Sequence, residues 1–217
     1  KEYFVRYFMK IEIEHVSKKI KDALVLDDVC MTLESGNIYG LQGVNGSGKT
    51  MLMRAVSGLM YPTSGTIKID GKVLGRDMAF PQKIGLLIEN PAFIDSYTGY
   101  DNLKMLASIN KENVDIYKAL ELVGLKSDDK RKFRKYSLGM KQRLGIACAI
   151  MEDPQLLLLD EPFNALDKKG QETLADIILD MRDKGCLILL SSHDKDELEN
   201  LSDVIYLVES GRFELKK

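Results

Sequence analysis

The chain has 217 residues, 45% of them hydrophobic and 29% charged, with a formal net charge of −2. That balance excludes a largely disordered chain, and it excludes a global field that would recruit nucleic acid or an anionic membrane. The length suits one domain with two lobes, and the longest uncharged apolar runs, 144–151 and 186–192, are too short to cross a bilayer.

The first eight residues read as a tag or upstream sequence. Tyr3, Phe4, Tyr7 and Phe8 crowd there, Met9 would make a natural start, and no secretory leader is recognisable. Cys30, Cys148 and Cys186 form an odd set without close spacing. They give no disulfide framework or cysteine-spaced zinc site, fit a reducing compartment, and each lies in an apolar segment that predicts core packing.

In chain order, Ile11-Glu12-Ile13-Glu14 alternates like a half-buried strand. A polar turn is expected at 18–22 and a second extended stretch at 24–33. The apolar run 38–41 is a short strand entering a glycine-rich loop. Met51, Leu52, Ala55, Val56 and Leu59 recur at helical spacing, which predicts a helix from about Lys49 that stops at Gly58. Residues 66–70 read as a strand and Gly71 as its turn; 84–88 is a strand ending in Glu89-Asn90-Pro91. From about 98 to 123 the pattern is helical, with Leu103, Leu106, Ala107, Ala119, Leu120, Leu122 and Val123, and this predicts a helical insertion over about 91–137. Then follow a helix at 137–151, a buried strand at 156–159, an amphipathic helix at 171–182, a strand at 187–190, a helix at 195–201 and a strand at 204–208. Strands alternating with helices predict an α/β fold with a parallel sheet.

Gly43-Val44-Asn45-Gly46-Ser47-Gly48-Lys49-Thr50 has two glycines bracketing four residues, then Lys and Thr. This is the pattern of a phosphate-binding loop. Its glycines let backbone N–H groups converge on phosphate oxygens, and the following helix aims its positive end at the same anion. Lys49 is expected to reach the β- and γ-phosphates, and the Thr50 hydroxyl to ligate Mg²⁺. The loop implies a nucleoside triphosphate without separating kinase, GTPase or motor. Downstream, the strand at 156–159 ends in Asp160-Glu161. Asp160 is placed to support Mg²⁺ through water and Glu161 to polarise an attacking water. Taken alone, the pair also reads as two solvated acids at a strand end.

Tyr136-Ser137-Leu138-Gly139-Met140-Lys141-Gln142-Arg143 resembles the signature motif of ATP-binding-cassette (ABC) ATPases. Asp160-Glu161-Pro162-Phe163-Asn164-Ala165-Leu166-Asp167 is similar to that family's second acidic motif and D-loop, and Ser191-Ser192-His193-Asp194 to its switch-histidine motif. The motifs occur in the family's order across about 9–217. The resemblance implies a P-loop NTPase core with an antiparallel β subdomain and an inserted helical subdomain. It implies that two such domains pack head to tail with ATP between them. Ser137 and Gly139 would bind the γ-phosphate of the partner's nucleotide, Glu161 would act as general base, and His193 would hold the γ-phosphate and water.

Three departures stand out. Leu138 and Met140 replace a glycine and a glutamine of the commonest signature. Glu89 takes the usual glutamine position, from which its carboxylate can approach nucleotide and Mg²⁺. Ile20 falls where an aromatic ring usually stacks on adenine. The strings at 87–91 and 138–147 resemble the bacitracin-type and lantibiotic-type peptide-export subgroup. An ATP-hydrolysing transporter subunit on the cytoplasmic face of the membrane, working with separate permease chains, is therefore expected. A non-transport cassette acting on ribosomes or DNA is the alternative, and the single cassette without a long insertion argues against it.

The basic residues among 126–135 read as a solvated surface rather than a nucleic-acid site, since only Phe133 and Tyr136 there can stack. Met51, Met53 and Met60 read as core, and His15 as structural or solvent-facing.

Overall fold

A computed structural model describes residues 8–89, 91–110 and 114–216. Residues 1–7 of the expected tag, Asn90, and 111–113 of the expected helical insertion lie outside them; Phe8 is exposed. The strands are β1 (Lys10–Ile20), β2 (Ala23–Glu34), β3 (Ile38–Gln42), β4 (Ser64–Ile69), β5 (Lys72–Val73), β6 (Ile84–Leu87), β7 (Leu156–Asp160), β8 (Leu187–Ser192), β9 (Val204–Glu209) and β10 (Arg212–Leu215). The α-helices are α1 (Lys49–Val56), α2 (Gly99–Asn110), α3 (Ile116–Leu122), α4 (Leu138–Ile150), α5 (Lys168–Asp183) and α6 (Lys195–Leu201).

Two sheets carry the fold. A six-stranded sheet has the order β10-β9-β3-β8-β7-β6, parallel except for β10, which pairs antiparallel with β9. An antiparallel sheet has the order β2-β1-β4-β5. In β7 and β8 every residue is buried, as expected for central parallel strands covered on both faces. Because alternate side chains point to opposite faces, Leu156, Leu158, Leu187 and Leu189 join α1 and the antiparallel sheet in one core. Leu157, Leu159, Ile188 and Leu190 join α4, α5 and α6 in the other. Leu103, Ala107, Ile116 and Leu120 from α2 and α3 pack into this second core.

The parallel α/β core follows the sequence expectation, and the departures from it are local. β1 runs on to Ile20, so the turn expected at 18–22 shrinks to Lys21-Asp22, because the polar end of β1 still pairs with β2 through Lys18, Lys19 and Ile20. β5 and β10 are additional strands. Each follows a two-residue turn, Asp70-Gly71 and Ser210-Gly211, whose residues all have positive φ. Positive φ at both positions matches the right-handed strand twist of a tight hairpin.

Cys30 corrects the expectation for the cysteines. It is exposed, because the alternation of β2 buries Val29, Met31 and Leu33 and turns Cys30 outward. Cys186 is buried and Cys148 half-buried, and burial pushes their thiols up to about 12 and about 11 respectively. A maleimide at neutral pH is therefore expected to label Cys30 in the native chain well before the other two, with all three labelled in denaturant. Mass spectrometry of labelled peptides checks this, and fast native labelling of Cys186 would contradict the fold.

Candidate nucleotide site

The loop at 43–50 connects β3 to α1 at the C-terminal end of the parallel strands. Gly48 caps α1 with φ 118°, and a Cβ there would lie 2.9 Å from the Val25 carbonyl oxygen, so both conformation and space require glycine. The Ser47 carbonyl accepts from Gly211 N at 2.8 Å, which ties the loop to the β9–β10 turn. Lys49 is buried, and its Nζ donates to the carbonyl oxygens of Gly43 and of Val44, the latter at 3.1 Å.

Asp160 ends β7 directly beside Ser191 of β8. Thr50 Oγ1 donates to Asp160 Oδ2 at 2.6 Å, and Ser191 Oγ donates to Oδ1 at 2.5 Å. Ser191 Oγ in turn accepts from Glu161 N at 3.0 Å. The buried carboxylate is thus fixed from the loop on one side and from the neighbouring strand on the other. Glu161 has φ 49°, uncommon for a non-glycine residue. Its Oε2 lies 2.8 Å from His193 Nδ1, and its Oε1 3.7 Å from Lys49 Nζ.

Asp160 and Glu161 border a cavity of about 590 Å³, lined on the loop side by Asn45, Gly46, Gly48, Lys49 and Thr50. Across from them the lining comes from Glu89, Gln142, Asp160, Glu161 and Asn164, with Val25 and Met51 completing it. The volume suits a small-molecule ligand. Ser47 Oγ and Glu161 Oε1 are buried without a hydrogen-bond partner. Buried polar atoms of this kind are the ones a ligand can satisfy. The Thr50 hydroxyl and Asp160 carboxylate are hard oxygen donors, the donor type magnesium takes.

The fold thus brings the phosphate loop, Asp160, Glu161 and His193 together. Glu89 reaches the cavity rim, but Arg54 Nη2 of α1 donates to its Oε1 at 2.6 Å, so this carboxylate is already matched by a cation. Ser137 and Gly139 do not line this cavity. Ser137 is exposed and caps α4, its Oγ accepting from Met140 N at 3.3 Å. A Cβ on Gly139 would lie 2.8 Å from the Ala165 carbonyl oxygen, so α4 starts hard against the loop that follows Glu161. Ile20 is exposed and does not line the cavity; Val25 supplies apolar contact there. Phe133 and Tyr136 are buried, which removes the two rings a nucleic acid would stack on.

Sequence reasoning missed three contributors. Ser191 stood in a quoted motif without a role, and its register opposite Asp160 explains its position. Gln142 lines the cavity while its Nε2 donates to the Pro162 carbonyl at 2.9 Å. Arg143 donates from Nη1 to the Val123 carbonyl at 2.7 Å and from Nη2 to Asp167, the cap of α5. The Gly170 N–H and the Arg143 guanidinium together hold the Asp167 carboxyl below its usual range.

Fold and site together define a P-loop nucleotide-binding ATPase. The family profile described as ABC transporter matches residues 26–164. The uncharacterized ABC transporter ATP-binding protein YybJ of Bacillus subtilis (strain 168) is 47% identical over 206 residues, covering 94% of this chain and 94% of YybJ. The bacitracin transport ATP-binding protein BcrA of Enterococcus faecalis is 40% identical over 93% of this chain and 67% of BcrA. A solved structure described as the ATP binding subunit of an ABC transporter superposes with a TM-score of 0.84 at 28% identity, covering 94% of this chain and 87% of that one. The chain belongs to the ABC transporter family and is one of its ATP-hydrolysing cassettes. No helix among the described residues is long and apolar enough to cross a membrane.

Proposed function

We propose that this cassette powers an exporter of drugs or antimicrobial peptides, working as a head-to-tail pair on the cytoplasmic face of a membrane with separate permease subunits. The observation that carries the ATPase part is the convergence of Lys49, Thr50, Asp160 and Glu161 on one cavity, with His193 held against Glu161. The similarity to a bacitracin transport protein supports the cargo class.

In this reading the amides of residues 43–50 cradle the phosphates, and Lys49 leaves the carbonyls of Gly43 and Val44 to meet the γ-phosphate. Thr50 and Asp160 would hold Mg²⁺, which would supply positive charge against the triphosphate. Glu89 would join them only by giving up Arg54. Glu161 takes the proton from the attacking water. His193, hydrogen-bonded to Glu161 Oε2, orients that carboxylate and reaches the γ-phosphate. The exposed Ser137 and Gly139 end of α4 serves the partner's nucleotide, where the helix N-terminus favours an anion. Residues from about 91 to 137 form the helical subdomain that, with the loop at Glu89, docks on the permease.

The test is purification of the tagged chain from detergent-solubilised membranes of the source cells, followed by ATPase assays in vesicles. A co-purifying polytopic membrane protein and ATP turnover that responds to bacitracin-class peptides are expected. Turnover stimulated by ribosomes or DNA instead, with no membrane partner, would overturn the transport reading.

A further inference from the structure

Outside the nucleotide cavity, one group of three His, Cys and acidic side chains among the described residues has ligand atoms lying within 4.8 Å of one another: His15, Asp28 and Cys30. They lie on the outer face of the β1–β2 hairpin, opposite the buried Ile13, Val16, Val29 and Met31. Their convergence comes from two neighbouring irregularities in the strand pairing. Between the pairs Ile13↔Met31 and Val16↔Val29, β1 carries Glu14 and His15 against the single residue Cys30. Between Val16↔Val29 and Lys18↔Leu26, β2 carries Asp27 and Asp28 against the single residue Ser17. Around this point each strand bulges toward the other (a third shift, at Val25, lies farther along the hairpin), and the bulged residues His15 and Asp28 have φ of 49° and 52°. Bulges re-aim side chains, and here two on facing strands aim at one point.

The contacts at that point bring one nitrogen, one carboxylate oxygen and one sulfur close to ligand spacing. His15 Nδ1 lies 2.8 Å from Asp28 Oδ1 and 3.6 Å from Cys30 Sγ, while His15 N donates to Cys30 Sγ at 3.2 Å. Bonds of about 2.0–2.3 Å from a tetrahedral zinc to N, O and S place ligand atoms roughly 3.3–3.8 Å apart. The His15–Cys30 separation already lies in that range, the His15–Asp28 pair has to open by roughly half an ångström, and no pair in the group exceeds 4.8 Å; all three side chains are exposed, so rotamer adjustment of roughly an ångström closes the set. Thiolate, imidazole and carboxylate together suit a borderline-soft divalent ion, and three protein ligands leave a fourth position for water or an outside ligand.

We infer that His15, Asp28 and Cys30 form a surface site for Zn(II) or a like divalent transition ion, distinct from the magnesium and nucleotide site. Cysteine spacing along the chain could not reveal it, because the ligands come from two strands joined by register.

The test is titration of the full chain with Co(II), read as the near-ultraviolet thiolate-to-cobalt charge-transfer band. One equivalent is expected to develop the band, and Zn(II) to abolish it by displacement. Cobalt at Thr50 and Asp160 meets only oxygen and gives no such band. Cys30→Ser is expected to remove the band, and His15→Ala to weaken binding at least about tenfold. ATP turnover is expected to be unchanged in both variants, since neither residue belongs to the nucleotide site. Zn(II) should also protect Cys30 from maleimide in the parent chain. Absence of the band in the parent, or a band of undiminished strength in Cys30→Ser, would overturn the assignment.

Discussion

Glu161→Gln is expected to bind ATP within about twofold of the parent chain while steady-state turnover falls by about two to four orders of magnitude, the usual contribution of a positioned general base. The amide keeps the shape of the carboxylate, and its oxygen can still accept from the backbone N–H of His193, 3.4 Å away in the parent. What it loses is the basic oxygen that would take the proton. It also loses the negative charge now 3.7 Å from Lys49, which would otherwise oppose an arriving γ-phosphate. The variant should therefore accumulate as an ATP-bound pair. Fluorescent-nucleotide titration, phosphate release and size-exclusion chromatography with ATP and magnesium check the three parts. Turnover at the parent rate would remove Glu161 from the role of base.

Lys49→Ala is the second large effect. The ammonium is buried among the atoms that line the phosphate side of the cavity. A charge-assisted hydrogen bond contributes about 1.5–3 kcal/mol, so ATP affinity is expected to fall by about 10- to 100-fold, with turnover falling further. The carbonyls of Gly43 and Val44 lose their donor in the same variant, so a thermal melt is needed beside the titration. A folded Lys49→Ala chain that binds ATP as tightly as the parent would remove the loop from the phosphate site.

The parallel core was legible because its signals are local. Four consecutive leucines before Asp160 can only be buried on both faces, and the glycines of the loop at 43–50 carry their conformational demand in their identity. Positions that depend on register were less legible. The alternation of β2 sends Cys30 outward although its neighbours are apolar, and an apolar neighbourhood alone pointed the other way. Asp70-Gly71 and Ser210-Gly211 were tight hairpin turns in plain sight, but the strands after them are too short for periodicity to register. At the site, the types of Asp160, Glu161 and His193 were readable, whereas Ser191 opposite Asp160 and Arg54 beside Glu89 depend on how distant segments lie against one another.

The attachments of α4 carry a mechanical consequence. Its 13 residues span roughly 20 Å at 1.5 Å per residue. One end presents Ser137 to the outside, the flank puts Gln142 into the chain's own cavity, and Arg143 clasps the start of α5. A rod anchored this way behaves as a lever rather than a spring. In the proposed head-to-tail pair, repositioning of the segment around Pro162 would tilt the outer tip, so that a change at one triphosphate would be felt at the other without any contact between the two nucleotides.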